Sequence, residues 1–550
     1  MRSKVKFWSD SAISSCVHGV AWHCAFPNAR AVLFYCCAGL IAACATDPKA
    51  TVAYTDLDVD EFVEEVAATS VLEPDAEFIG SPYEDIGLTG LFPVRSAAEC
   101  EVAVLGGGED SFAMRLKALK QATTSVRIQA LIFNGDESGL RIAEVLKEKK
   151  AEGLDVRIIV DAFSNLGLQT QWLYFDLKQN GIEVEGYEAL GLQWLNELPI
   201  PDLVPHADSK QPDQRFHEKM WIIDGETDHG IAITGGLNIG NEYFRVDPSH
   251  PESYWRDQDV AVNGEILGDL IAAFDRNFDY FVGIKEAKGI FNTNLYWKNT
   301  RKILDKTGKV PVNYTVDDGL VERVNALEFR EPGLDFRPAI CRFFQNRPRF
   351  AESYIQQAYI KLIERAQNEV LIANAYFVPT PSISAALKDA ARRCVSIGLI
   401  SNSPETNDLP EISMVGRGHY KDLLAVNGTP EVISCENEKA GMRIWEWVGK
   451  SPGEVEASQG TMHSKYAVVD ERISLVGSYN LDPRSEKLNS ESALVFQQKV
   501  LSAQLRETFL NSDLAYSEEV TAERAAEFAD PDEVIYEFRE SIGELFEEEL

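Results

Sequence analysis

One pattern of residues occurs twice in this chain and constrains its fold more than any other feature. The segments FHEKMWIIDG (216–225) and MHSKYAVVDE (462–471) both contain His-x-Lys-x4-Asp within an apolar, strand-like sequence. The helix-then-strand units before the first segment recur before the second at a separation of roughly 240 residues, which indicates an internal repeat. Alternating helices and strands form α/β structure, so we predict two homologous α/β lobes with mixed sheets. The lobes are expected to pack face to face, with the two histidine strands meeting at a shared seam.

The repeat also divides the chain into predicted segments. A length of 550 residues with 45% apolar residues is ordinary for a globular protein of several domains. The segments are a signal peptide with a lipobox (1–44), an acidic N-terminal segment (45–100), a first lobe (101–295), a connecting segment (296–345), a second lobe (346–515) and an acidic tail (516–550). Charge runs of this kind are usually solvated, so we expect the tail to be helical and solvated.

The N-terminus has the pattern of an export signal. Basic residues precede the apolar run AVLFYCCAGLIAAC, which is too short to span a membrane and is typical of a secretory signal. Its ending resembles the lipobox of bacterial lipoproteins, which implies cleavage before Cys44 and lipidation of that cysteine. With Ala45 next, the resemblance implies a periplasm-facing protein of the bacterial cell envelope, anchored to the outer membrane. The alternative is a short buried helix with an incidental cysteine.

Net charge and cysteine spacing argue against two other classes of protein. The net charge of −34 argues against a partner with a phosphate backbone, because proteins that bind nucleic acid cluster lysine and arginine. Cys100, Cys341, Cys394 and Cys435 are far apart and lack C-x-x-C spacing, which argues against a zinc site and a disulfide-dense scaffold. One or two disulfides remain open, and their pairing does not follow from the sequence.

The two histidine strands carry residues suited to phosphate chemistry. Residues two apart share a face of a strand, so His217 lies beside Lys219 and His463 beside Lys465. A neutral imidazole is a nucleophile and an imidazolium is an acid near neutral pH, so the pair can attack a phosphate and protonate its leaving group. The lysines can neutralise the phosphate oxygens as charge builds. Their positive charge would repel a metal ion, so we predict neither a metal nor a cofactor.

Two further pairs of polar residues repeat with the histidines. Asn238 and Asn480 follow the turns GGLN and GSYN, where side-chain amides and exposed backbone N–H groups can hold phosphate oxygens. Asp224 and Asp470 complete the repeated pattern, at strand ends whose sequence is typical of turns.

Carboxylates that orient the histidines are expected downstream of each motif. Imidazoles in active sites usually need a partner that fixes their tautomer. Aligning YWRDQDVAV with KLNSESALV by strand register, we pair Asp257 with His217 and Glu491 with His463. Asp259 is the competing candidate for the first of these two roles.

Taken together, these residues resemble the paired HKD signature of the phospholipase D superfamily. The segments HEKMWIIDG…GGLNIGNEYF and HSKYAVVDERISLVGSYNLDPRSEKLNSE carry the resemblance, which covers roughly residues 100–515. The resemblance implies one active site between the lobes and a phosphohistidine intermediate. It also implies that His217 is the nucleophile and that His463 is first the general acid and then the base.

The resemblance assigns the remaining site residues as well. The residues that would hold the phosphate are Lys219, Lys465, Asn238, Asn480 and Ser478. Asp224 and Asp470 belong to the catalytic signature, although in the family they mostly brace the motif. Gly236 replaces the serine of many members, so the first motif lacks one hydroxyl contact.

Within the superfamily, the segments GGLNIGNEYF, RDQDV and GSYNLDPRSEKLNSE are most similar to bacterial cardiolipin synthases, especially the C-type. This implies phospholipid substrates at a membrane surface and transfer of a phosphatidyl group to a lipid alcohol such as phosphatidylglycerol. Hydrolysis to phosphatidic acid is an alternative, because pocket shape and not the histidines selects the acceptor. A nuclease and a non-catalytic lipid-binding envelope lipoprotein are further alternatives. The sequence is silent on the oligomeric state.

Overall fold

The computed structural model describes residues 98–161, 164–186, 215–288, 314–348, 352–455 and 457–529. These residues all belong to one unit of the chain. The predicted signal peptide, the lipobox with Cys44 and nearly all of the acidic N-terminal segment lie outside the described residues. Within the described parts of the chain, no helix combines the length and apolar character needed to cross a membrane.

The first lobe alternates helices and strands before its histidine strand, as predicted. Its strands are β1 (Ala98–Val104), β2 (Ser125–Ala130), β3 (Asp155–Val160), β4 (Glu183–Glu185), β5 (Met220–Ile223), β6 (Ile231–Gly235) and β7 (Asp259–Gly264). Its helices are α1 (Gly108–Gln121), α2 (Glu137–Ala151), α3 (Leu168–Gln179), α4 (Asn241–Phe244) and α5 (Leu267–Lys288). A further helix, α6 (Asp318–Glu328), comes from the predicted connecting segment and packs on this lobe.

The second lobe repeats this order of elements. Its strands are β8 (Arg337–Arg347), β9 (Glu352–Ser353), β10 (Glu369–Asn374), β11 (Ser396–Asn402), β12 (Gly441–Trp447), β13 (Lys465–Val469), β14 (Ile473–Gly477), β15 (Glu491–Gln497) and β16 (Ser517–Glu519). Its helices are α7 (Tyr354–Arg365), α8 (Pro381–Arg392), α9 (Pro410–Leu424), α10 (Pro430–Ile433), α11 (Pro483–Lys487), α12 (Lys499–Glu507) and α13 (Ala522–Phe528).

Helix α8 illustrates how the local sequence sets these elements. Thr380 caps its N-terminus by accepting a hydrogen bond from the backbone N–H of Ile383, and Pro381 occupies the first turn, where no intrahelical N–H donor is needed. Ile383, Leu387 and Ala390 follow at helical spacing and are buried. The helix therefore covers the sheet with one apolar face.

The strands of both lobes form one sixteen-stranded sheet in which the strand order is repeated. The order is β16-β12-β11-β10-β13-β14-β15-β8-β1-β7-β6-β5-β2-β3-β4, with β9 paired to β8. Strand β2 pairs parallel with β3 and antiparallel with β5, and β10 pairs in the same way with β11 and β13. The lobes join where β1 and β8 pair antiparallel. Mixed sheets were predicted, but their continuity through β1 and β8 was not.

The two lobes also pack face to face, as predicted. One cluster of buried side chains contains Ile222 and Val260 of the first lobe together with Val468 and Phe496 of the second. Two further clusters lie on the helix-covered sides of the separate lobes. Strand residues alternate between the shared cluster and the lobe's own cluster, so both faces of the sheet are buried. Burial of the shared apolar surface stabilises the seam.

Two predicted boundaries differ from the structure. Strand β8 begins at Arg337, inside the predicted connecting segment, because this strand supplies the edge that pairs with β1. Residues 517–528 were predicted to be part of a solvated tail, but β16 pairs with β12 and α13 packs on the second lobe. Ala525 and Phe528 are buried there, and the Arg417 guanidinium lies 4.0 Å from the Phe528 ring centroid. A few apolar residues within an acidic stretch are enough to dock it.

Two disulfides pair the four cysteines of the described residues. Cys100–Cys341 links β1 to β8 and so crosses from one lobe to the other, with a sequence separation of 241 residues. Cys394–Cys435 lies within the second lobe, with a sequence separation of 41 residues. The first bridge closes the larger loop of the unfolded chain and reinforces the joint between the lobes.

Removal of the bridge between the lobes should therefore destabilise the protein more than removal of the other. Because the closed loops span 241 and 41 residues, Cys100→Ser/Cys341→Ser is expected to lose about 1.5 kcal/mol more free energy of unfolding than Cys394→Ser/Cys435→Ser. Equilibrium unfolding in urea measures the difference, and addition of a reductant should bring both variants and the parent protein together. A larger loss in the Cys394/Cys435 variant would contradict the expectation.

Candidate active site

The two histidine segments lie side by side at the seam. His217 and His463 are buried, their ring centroids are 6.5 Å apart and their ring planes are inclined by 71°. The backbone N–H of His217 donates to the carbonyl of Ser490 at 2.8 Å, and that of His463 donates to the carbonyl of Arg256 at 2.7 Å. Each histidine is thus hydrogen-bonded through its backbone to the opposite lobe.

The orienting carboxylates cross the seam in the same way, which corrects the predicted pairing. Nδ1 of His217 lies 2.8 Å from Oε2 of Glu491, and Nδ1 of His463 lies 2.6 Å from Oδ2 of Asp257. Strand register correctly identifies these two carboxylates as equivalent in the repeat, but the predicted pairing of each with the histidine of its own lobe is wrong. With Nδ1 held by a carboxylate, Nε2 of each ring is left for a substrate.

Asp259, the competing candidate, has a different role. Its Oδ2 accepts a hydrogen bond from the Ser111 hydroxyl at 2.6 Å and forms an ion pair with Arg115 at 2.8 Å. These partners lie on α1 and tie that helix to β7. Asp259 therefore braces the first lobe and contacts neither histidine.

The lysines of both motifs are buried beside the histidines. The Nζ of Lys219 donates to the carbonyl of His217 at 2.7 Å, and that of Lys465 donates to the carbonyl of His463. Burial, together with the nearby Lys465, lowers the pKa of Lys219 to about 7. Burial also lowers the pKa of Lys465 to about 8. A bound anion would offset this cost, because it stabilises the charged form of each ammonium.

Burial also favours neutral imidazoles. It lowers the pKa of His217 to about 4, although Glu491 opposes the change. It lowers the pKa of His463 well below the usual range, and the charge of Lys465 adds to the effect. A neutral imidazole whose Nδ1–H donates to a carboxylate has a free lone pair on Nε2. This is the nucleophilic form of histidine.

Three of the predicted phosphate-binding residues, Asn238, Asn480 and Ser478, differ in whether their side chains already have hydrogen-bond partners in the protein. Asn238 is engaged, because its Oδ1 accepts a backbone N–H and its Nδ2 donates to the Tyr243 hydroxyl at 2.9 Å. The Oδ1 of Asn480 is buried and has no hydrogen-bond partner among the described residues. The Ser478 hydroxyl donates to Glu491 at 2.6 Å, so the structure directs its proton at that carboxylate and not at a phosphate. Of the two asparagines, Asn480 is the less engaged, and its Nδ2 is the group that could donate to a phosphate oxygen, because Oδ1 can only accept.

The structure does not bring Asp224 and Asp470 to the histidines, which corrects their inclusion in the catalytic set. Both lie at the far ends of β5 and β13, at roughly 20 Å along the strand from the histidines. Asp224 accepts hydrogen bonds from the backbone N–H groups of residues 123–125, and Asp470 accepts those of residues 367–369. Burial raises the pKa of Asp224, but these donors outweigh it and the pKa falls to about 2. The contacts match the bracing role that the resemblance implies.

Comparison with known proteins gives the family. The family model described as cardiolipin synthase, PLD-like domain matches residues 116–279 and 359–513, which include both histidine motifs. The chain belongs to the phospholipase D superfamily. In fold, this superfamily member resembles the crystal structure of phosphatidylserine synthase from Haemophilus influenzae, with a TM-score of 0.50, 13% sequence identity and coverage of 76% of this chain and 87% of that one.

Sequence relatives of this superfamily member include cardiolipin synthases. The synthase of Halalkalibacterium halodurans is 27% identical over 420 residues, which cover 76% of this chain and 66% of the relative. Cardiolipin synthase A of Pseudomonas fluorescens is 25% identical over 430 residues, which cover 78% and 72%. The chain spans just under two thirds of the length of the first relative. The similarity to C-type synthases stays a prediction.

Aromatic residues around His463 are part of this phospholipase D-like site, and we did not predict them. The ring centroids of Trp255, Tyr243 and Tyr376 lie 5.0, 5.6 and 6.5 Å from that of His463. The Tyr376 hydroxyl donates to Asp408 at 2.6 Å. Trp255 stands two residues before Asp257 in the sequence, which is the one local signal for it. The other two approach His463 only through the fold.

The crossed pairing predicts which imidazole responds to each carboxylate. Glu491→Gln should shift the ring nitrogen resonances of His217 and leave those of His463 nearly unchanged, because a neutral amide holds an imidazole proton less strongly than a carboxylate does. Asp257→Asn should do the reverse. Long-range proton–nitrogen NMR on protein with labelled histidine measures both, with His217→Asn and His463→Asn used to assign the signals. The opposite assignment of responses would restore pairing within each lobe.

Proposed function

We propose that this protein is a phosphatidyltransferase that forms a phosphohistidine on His217 and makes cardiolipin from phosphatidylglycerol and a second phospholipid. The observation that carries the proposal is the pair of buried imidazoles with ring centroids 6.5 Å apart, each held by a carboxylate. Lys219 and Lys465 supply the positive charge that a phosphodiester needs in a buried site. The names of the cardiolipin synthase relatives support a phospholipid substrate.

In the first step, Nε2 of His217 attacks the phosphorus of the donor phosphodiester. A P–N bond forms, the P–O bond to the leaving alcohol breaks, and His463 transfers its Nε2 proton to the departing oxygen. His463 must be protonated for this step, whereas burial favours its neutral form. The negative charge of the bound phosphodiester favours the imidazolium and thus prepares the acid.

In the second step, the hydroxyl group of a lipid alcohol attacks the phosphorus on the opposite side. His463 accepts the hydroxyl proton, the new P–O bond forms and the P–N bond breaks, so that His217 recovers its lone pair. One phosphodiester is exchanged for another, and no external source of energy is required. Water in place of the alcohol would yield phosphatidic acid by the same path.

A membrane location also belongs to the proposal. The lipobox-like sequence IAAC ends at Cys44, and lipidation of that cysteine would anchor the chain to the bacterial envelope with its site facing the periplasm. An anchor of this kind keeps a buried site close to lipid substrates, because a lipid chain holds the protein at the membrane surface.

The reaction is tested with vesicles of labelled phosphatidylglycerol, with and without phosphatidylethanolamine, and thin-layer chromatography of the products. Cardiolipin as the labelled product supports the proposal. Phosphatidic acid alone would favour the hydrolase, and lipid binding without any product would favour the non-catalytic alternative. Either of these two outcomes would overturn the proposed transfer reaction.

Substitution of each histidine should separate the two roles. His463→Ala is expected to slow transfer by about 10²–10⁴-fold, because a positioned general acid contributes that much. A donor with a p-nitrophenyl leaving group needs little protonation, so His463→Ala should still release nitrophenol from it and accumulate phosphohistidine. His217→Ala should do neither, and His419→Ala serves as the matched control. Trapping of phosphorus on His463 would reverse the roles.

The pH dependence of kcat/KM should follow the protonation of the two lysines. Burial lowers the pKa of Lys219 to about 7 and that of Lys465 to about 8 in the free protein. Only the protonated lysines pair with the anionic phosphodiester, so kcat/KM is expected to fall as the pH rises through this range, since kcat/KM reports groups of the free enzyme. Lys219→Met should lower kcat/KM at acidic pH and weaken the decline. A kcat/KM that stays constant or rises up to alkaline pH would contradict the expectation.

A further inference from the structure

The two histidine–carboxylate pairs are chemically unequal. Each oxygen of Glu491 accepts from two donors. Oε2 contacts the Ser478 hydroxyl at 2.6 Å and Nδ1 of His217 at 2.8 Å, and Oε1 contacts the Ser485 hydroxyl at 3.0 Å and the Asn489 amide at 3.3 Å. All five residues are buried. Glu491 is therefore a carboxylate whose lone pairs are largely occupied by donors.

Asp257 has fewer donors. Its Oδ1 accepts the backbone N–H of Gln258 at 2.7 Å, and its Oδ2 faces His463 at 2.6 Å. The position equivalent to Ser478 is Gly236, which supplies no hydroxyl, and Oδ1 of Asp257 occupies the space beside it, 2.0 Å from where a Cβ on Gly236 would lie. The inequality thus begins with the residue type at position 236 of the first motif.

We propose that Ser478, Ser485 and Asn489 are positioning residues that hold Glu491 as the anion and thereby commit His217 to the nucleophilic role. This inference rests on the proposed function, and it assigns the cause of the asymmetry to residues that do not touch the substrate. It adds Ser485 and Asn489 to the residues on which the reaction depends.

The physical reason is the effect of donors on a carboxylate. Hydrogen bonds to the charged form stabilise it, so a carboxylate with several donors stays ionised and is a weak base. An ionised Glu491 accepts the Nδ1 proton of His217 and fixes the tautomer with Nε2 free. Burial alone would raise the pKa of Glu491, but His217, Lys219 and Ser478 lower it overall. Burial raises the pKa of Asp257 to about 7, so the Asp257–His463 pair binds a proton more readily than the Glu491–His217 pair does.

Hydrogen bonds of its hydroxyl group and of its backbone N–H fix the position of Ser485. Its Oγ accepts the backbone N–H of Asn480 at 3.3 Å while donating to Glu491, and its own N–H donates to Asp482 at 2.7 Å at the start of α11. Since Oγ receives the Asn480 N–H, its single proton is directed to the carboxylate. Ser485 therefore connects the segment of Asn480, a candidate phosphate contact, with the carboxylate that orients the nucleophile.

The experiment measures single-turnover formation of phosphohistidine on His217 between about pH 4 and pH 8, using phosphatidylglycerol vesicles and rapid quenching. Loss of a donor should raise the pKa of Glu491, so in Ser485→Ala the acidic limb of the rate profile should move up by about one pH unit. The rate should fall roughly three- to ten-fold at the acidic end and stay close to the parent value at the alkaline end. Ser485→Thr should restore most of the profile.

Ser474→Ala is the matched control, because Ser474 is buried in the same lobe and shares a hydrogen bond of 2.8 Å with Ser502, away from the histidines. A uniform loss of rate at all pH values, similar in the Ser485 and Ser474 variants, would show a merely structural role and overturn the inference. Glu491→Gln should have no such acidic limb, and Ser485→Ala should add little to it.

The failure of this inference can be told apart from that of the proposed function. If the parent protein forms no phosphohistidine, the proposed function fails, and this inference fails with it. If the parent forms it with an acidic limb that Ser485→Ala leaves in place, the proposed function stands and the positioning role is overturned.

Discussion

The site depends on hydrogen bonds that cross between the lobes. The backbone N–H of His217 reaches Ser490, next to Glu491, and the backbone N–H of His463 reaches Arg256, next to Asp257. Each crossing brings a histidine to the carboxylate of the other lobe, so neither lobe contains a complete histidine–carboxylate pair. The antiparallel pairing of β1 with β8, the Cys100–Cys341 bridge and the shared apolar cluster all act on the same seam. The interactions that stabilise the seam therefore also assemble the site.

The seam also sets the electrostatics. Lys219, Lys465 and both histidines are buried together, which lowers the pKa of all four groups and makes the site an unfavourable place for positive charge. Under the proposed function, a phosphodiester anion would relieve this cost, and it would do so most as negative charge builds on the phosphoryl oxygens. In the proposed reaction, the site would therefore favour the charge distribution of the transition state over that of the unbound protein.

An internal repeat need not give two equal halves. Glu491 receives hydrogen bonds from two serines and an asparagine in addition to His217, whereas Asp257 receives one backbone N–H in addition to His463. The difference begins with Gly236, whose missing side chain leaves space that the Asp257 carboxylate fills. We therefore propose that two copies of one motif perform the different tasks of nucleophile and acid because their carboxylates differ in basicity.

The sequence by itself determined the repeat, the alternation of helices and strands, the pairing of each histidine with a lysine on one face and the family that these residues resemble. Those features follow from local periodicity and from spacing within single strands. Only the tertiary structure decided that Glu491 serves His217 and Asp257 serves His463, that Asp224 and Asp470 brace distant turns, and that Ser478 contacts a carboxylate. The reason is physical: strand register relates residues within a lobe, whereas the two histidine–carboxylate contacts join residues 274 and 206 positions apart, whose meeting depends on how β1 and β8 join two sheets into one. The contacts of Asp224, Asp470 and Ser478 lie within single lobes, but they depend on how turns fold back onto the strands, which strand periodicity does not give.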